Sequence, residues 1–135
     1  MKRRAAREIA FKLTYAMVLT GQFNAETRHE LLSEESDCDS DSLQYINDLT
    51  MGIEKHLDEL KALIVKYAKG YEYNRIYKTD LALLLLACYE IKYTDTPPAV
   101  VVNEVVEIAK TYSDVKSHTF INGILASVIK EVTDG

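Results

Sequence analysis

The nine residues LALLLLACY, from Leu81 to Tyr89, contain no charged side chain, and that run limits what the chain can become. It falls well short of the roughly 20 residues that a membrane-spanning helix needs. A helix built on it is apolar on nearly every face, so other elements must surround it. The stretch from Leu81 to Ile91, with Thr79 as its N-cap, is therefore predicted as the central helix of the protein. With five Gly and two Pro in 135 residues, tight turns are few, and 47% apolar against 27% charged residues is a globular balance. This length suits a single domain over 1–135, which buries about two-thirds of its unfolded surface in one core.

Elsewhere the apolar pattern recurs at helical spacing. Ala6, Ala10, Leu13, Tyr15 and Met17 predict one amphipathic helix to about Leu19, closed by Gly21. A short helix anchored by Leu31 and Leu32 follows, and residues 33–42 read as an exposed acidic loop. Leu43, Ile46, Leu49, Ile53, Leu57, Leu60, Ile64 and Tyr67 step by three or four, which predicts one long helix of about seven turns capped by Gly70. Pro97 and Pro98 open a helix through AVVVNEVVEIAKTY, and Ser113 or Asp114 caps a last one. In that helix Phe120, Ile121, Ile124, Leu125, Val128 and Val132 face inward. Asn122 and Gly123 break its helix propensity, so Gly123 is expected at a close helix contact and Asn122 in a hydrogen bond at a crossing. The fold class is all-α, with five or six helices.

The chemistry of enzymes is missing from this pattern. His29, His56 and His118 are scattered, there is no glycine-rich phosphate loop or nucleophile elbow, and Cys38 and Cys88 lack zinc-ligand spacing. The expectation is no catalysis, no metal and no cofactor, with both thiols free in a reducing cytoplasm. Charge is more informative. The net charge is −5, yet residues 2–12 hold five Lys/Arg against Glu8, while residues 26–41 hold seven Asp/Glu against Arg28. Lys2, Arg3, Arg4 and Arg7 crowd the first turns of a helix, where free N–H groups already carry partial positive charge. An anion is the natural compensation. A second candidate is SDVKSHTFING, where Lys116, Ser117, His118 and Thr119 supply donors at a helix N-terminus, flanked by Tyr112 and Phe120. Aromatic rings beside donors suit single-stranded nucleic acid. The same residues also serve as a cap and a core anchor in an ordinary helix start.

Four segments, in order along the chain, resemble the NusB family: RRAARE with Tyr15, NRIYKTDLALLLLACYE from Asn74 to Glu90, PPAVVVNEVVEIAK from Pro97 to Lys110, and FINGIL from Phe120 to Leu125. Only the acidic loop is unmatched. The resemblance implies a NusB-like fold of two packed three-helix bundles without catalytic activity. It further implies binding of boxA, a U-rich single-stranded element of ribosomal RNA leader transcripts, together with ribosomal protein NusE. The pair then joins other Nus factors on RNA polymerase. Carried over by position, Lys2, Arg3, Arg4, Arg7, Tyr112, Lys116, Ser117, Phe120 and Asn122 form the RNA face, and Tyr15 and Asp80 lie on the NusE side.

Two departures stand out: Tyr71 replaces a tryptophan and should retain aromatic packing, and Leu85 replaces an arginine. Lys116 stands where relatives can carry an acid, and its charge favours phosphate. The alternatives are a module like that attached to some ribosomal RNA methyltransferases and a helical adaptor binding protein alone. The absence of a cofactor-binding domain favours a freestanding factor, monomeric or homodimeric.

Overall fold

The computed structural model describes residues 1–35 and 37–134. Among these, the chain forms α1 (Arg3–Thr20), α2 (Ala25–Ser33), α3 (Ser40–Lys55), α4 (Leu57–Tyr67), a 3-10 turn (Tyr73–Arg75), α5 (Lys78–Tyr93), α6 (Pro98–Tyr112) and α7 (Val115–Asp134), with no strand. Every residue of α5 from Asp80 to Cys88 is buried. The helix touches α1, α3, α4, α6 and α7, so the uncharged run is the central element. On one side α1 packs with α2 and α3; on the other α5, α6 and α7 pack together, and α1 against α5 joins the two bundles. A smaller cluster of Ala6, Ile9, Leu13 and Ile46, flanked by Leu31, Leu32 and Cys38, fills the first bundle.

Several boundaries follow local chemistry. Gly21 ends α1 with φ 89° and donates its N–H to Met17. Pro97 is the N-cap of α6, and Pro98 fills its first turn. Asp114 accepts the Ser117 N–H at 3.0 Å and so caps α7.

Other expectations need correction. The long helix from Leu43 is two helices, because the backbone leaves helical geometry at His56, with φ −108° and ψ 20°. The apolar spacing runs on through the break, since α3 and α4 each cover α5. Thr79 lies inside α5, whose N-cap is Tyr77. The acidic loop is shorter than residues 33–42. Ser33 closes α2, and Asp39 caps α3 by accepting the Ser42 N–H at 2.8 Å. Gly123 has nothing within 4 Å of where a Cβ would stand, and Asn122 is exposed, so neither marks a crossing. The close approach is at Gly52, where a Cβ would stand 2.1 Å from the Tyr89 ring.

Candidate nucleic-acid interface

The first turn of α1 holds no acidic residue, and Lys2 offers no side-chain cap. Lys2, Arg3 and Arg4 are exposed there, so cations and the positive end of the helix dipole coincide. Arg4 donates through Nε and Nη2 to Glu104 of α6 at 2.5 and 3.2 Å. That hydrogen bond, with the guanidinium charge, holds the Glu104 carboxyl below its usual range. Arg3 lies over the Tyr45 ring, 4.0 Å from its centroid. Among the described residues, Lys2, Arg3, Lys12 and Lys116 make no ion pair.

Arg7 is different. Its side chain is buried and donates through Nε and Nη2 to Glu90 of α5, at 2.7 and 3.0 Å. Its assignment as a phosphate contact is therefore corrected: it ties α1 to α5 beneath the surface that Arg3 and Arg4 present.

The other half of the site is built where α6 turns into α7. The Tyr112 ring packs 5.1 Å from Phe11, and its hydroxyl donates to Glu8. Burial, then this bond to a carboxylate, pushes the Tyr112 phenol up to about 12. Beyond the turn, Lys116 projects from the first turn of α7. Phe120 meets Tyr71 edge-on at 4.9 Å, so the tyrosine keeps the expected aromatic packing. A cleft of about 330 Å³ opens here, lined by Tyr71, Arg75, Tyr77, Lys116 and Phe120, with Asp80 and Ser117 also on its wall.

Two of the assigned side chains are less accessible than their roles require. Ser117 is buried and donates to Asp80 Oδ2 at 3.0 Å. Asp80 is buried too, its Oδ1 has no partner among the described residues, and burial raises its pKa. An acidic charge is thus not displayed on the surface at Asp80. Tyr15, by contrast, is half-buried beside Phe11, 6.3 Å between ring centroids. Asn122 is exposed further along α7. His118 turns its Nε2 into the protein, where it has no hydrogen-bond partner among the described residues. Arg75 and Tyr77 join the candidate site only through the fold; their signal in the sequence is a cationic and an aromatic side chain in NRIY, just ahead of the uncharged run.

Side-chain contacts between α1 and α6 connect the two halves. α1 and α6 lie alongside each other in the same direction, Arg4 meeting Glu104 and Phe11 meeting Tyr112. From Glu104 to Tyr112 the rise along α6 is about 12 Å. Among the described residues, the acidic segment makes one ion pair, with the terminal amino group, Met1 N lying 3.7 Å from Asp39. No group of three or more His, Cys, Asp or Glu suited to a metal occurs among the described residues, and none of the helices is long and apolar enough to cross a membrane.

A sequence model of the NusB family matches residues 4–130. The chain is 43% identical over 131 residues to the transcription antitermination protein NusB of Acetivibrio thermocellus, covering 96% of this chain and 90% of that one. It is 40% identical to the NusB of Ligilactobacillus salivarius, covering 96% and 98%. Among solved structures, a crystal structure of the antitermination factors NusB and NusE in complex with double-stranded RNA superposes with a TM-score of 0.86 at 26% identity, covering 96% of each chain.

Proposed function

Because the chain belongs to the NusB family, we propose that it is a transcription antitermination factor that binds single-stranded boxA RNA of ribosomal RNA leader transcripts together with ribosomal protein NusE. One observation supports this reading: Tyr112, docked on Phe11 and Glu8, ties the turn before α7 to the same helix, α1, whose first turn carries the basic tip. Lys2, Arg3 and Arg4 neutralise phosphates. A strand seated there also relieves the opposition between these cations and the dipole of α1. Because the Arg4–Glu104 pair is exposed and held in high dielectric, a phosphate can replace the carboxylate. Three such contacts give a slope of log affinity against log salt of about −2, at roughly −0.7 per phosphate for single strands.

These contacts carry no sequence information. Tyr112 and Phe120 supply faces for unstacked bases, Asn122 offers a donor and an acceptor to base edges, and Lys116 and Arg75 hold the strand at the cleft. Ser117 acts from beneath, fixing the first turn of α7 through Asp80. Tyr15 lies on the NusE side, and NusE in turn connects the protein to the other Nus factors and RNA polymerase.

The test is fluorescence anisotropy with labelled boxA RNA, a scrambled strand and a duplex, with and without NusE, across salt concentrations. The single-stranded boxA sequence should bind tightest, and NusE should tighten it further. Equal affinity for all three RNAs, or no effect of NusE, contradicts the proposal.

A further inference from the structure

Arg3 does not stand free in solvent. Its guanidinium lies 4.0 Å from the centroid of the Tyr45 ring, on a helix otherwise separate from the proposed RNA face. The ring is itself fixed, because the Tyr45 hydroxyl donates to Glu90 Oε1 at 2.7 Å. Glu90 is fully buried and also receives two N–H groups from Arg7, one on Oε2 and one on the same Oε1. Burial, followed by the charge of Glu90, raises the Tyr45 pKa, so the phenol remains a donor. A planar guanidinium resting on an aromatic face keeps its edge N–H groups pointing outward, where they can take a phosphate, and loses less side-chain freedom when it does so.

We propose that Tyr45 is a positioning residue for RNA binding, which holds the Arg3 guanidinium ready for a phosphate while Glu90 and Arg7 hold the Tyr45 ring. This rests on the RNA-binding reading above. In that reading the sequence-remote helix α3 contributes to the interface without touching RNA.

The experiment compares the full chain with Arg3→Ala, Tyr45→Leu, Tyr45→Phe and the Arg3→Ala/Tyr45→Leu double variant. The slope of log affinity against log salt is read for labelled boxA RNA, and a melting temperature is taken for each protein. Arg3→Ala should reduce the slope by about 0.7, one phosphate contact. Tyr45→Leu should reduce it equally, the double variant should show no further loss, and Tyr45→Phe, which retains the ring but releases it from Glu90, should fall between Tyr45→Leu and the full slope. Additive losses in the double variant, or an unchanged slope in Tyr45→Leu with only a lower melting temperature, overturn the proposal and leave RNA binding itself standing. Failure of the unmutated chain to bind RNA overturns both.

Discussion

Glu90, 83 residues along the chain from Arg7, receives two guanidinium N–H groups from it at 2.7 and 3.0 Å, with both side chains buried. The pair fixes the amino-terminal helix against the C-terminal end of α5 and so sets where the basic tip projects.

Removing one partner leaves an uncompensated buried charge, which costs about 3 kcal/mol or more. Arg7→Ala should therefore lower the melting temperature by about 10 °C, measured by circular dichroism. A joint Arg7→Met/Glu90→Leu replacement should recover much of that loss. A melting temperature unchanged in Arg7→Ala would mean that the pair is not closed in solution.

Gly52 admits the Tyr89 ring against α3, and a Cβ would stand 2.1 Å from it. Gly52→Ala should destabilise by about 1–3 kcal/mol through overpacking, although alanine is the better helix former by about 1 kcal/mol. Adding Tyr89→Ala should reverse the sign of the glycine substitution. Urea denaturation of the four proteins decides this.

Asp80 gives a pH dependence. Burial raises its folded-state pKa, so folding favours the protonated carboxyl. Its contribution is fully present below the unfolded value, near 3.8, and is lost as pH rises through the folded one. Asp80→Asn can still accept the Ser117 bond, and it carries no charge. Its stability relative to the unmutated chain should rise from pH 4 upward and then level off. A difference that stays flat with pH would show that Asp80 is not desolvated.

In the proposed interface, Arg4 and Phe120 have different tasks. Arg4→Ala should weaken boxA and scrambled RNA by the same factor. Phe120→Ala should lose about 1–3 kcal/mol of stacking on either strand, and more on boxA, where the base it places also presents its edge to Asn122. Equal losses for Phe120→Ala on the two RNAs would remove it from base recognition.

Much of this was legible in the chain. The uncharged run announced α5, Gly21 and Pro98 marked helix ends, and the clustered cations announced the tip. What escaped was long-range. Whether Arg7 faces solvent or core depends on Glu90 and Tyr45, which lie on other helices, and the helical period alone does not distinguish it from Arg4, one turn away. The break at His56 was invisible because both helices present apolar residues at the same spacing. Asn122 and Gly123 look like a crossing by propensity, yet they are exposed. Gly52 carries no signal in the sequence, since only the fold brings Tyr89 against it.

In the proposed complex the tip of α1 and the start of α7 take up one strand together. Titrating the isotope-labelled protein with boxA RNA and following amide resonances by NMR tests it directly. The backbone signals of residues 2–4 and 112–122 should move together and reach saturation at the same RNA concentration. Shifts confined to one of these segments, or two segments saturating at separate concentrations, would contradict a shared surface.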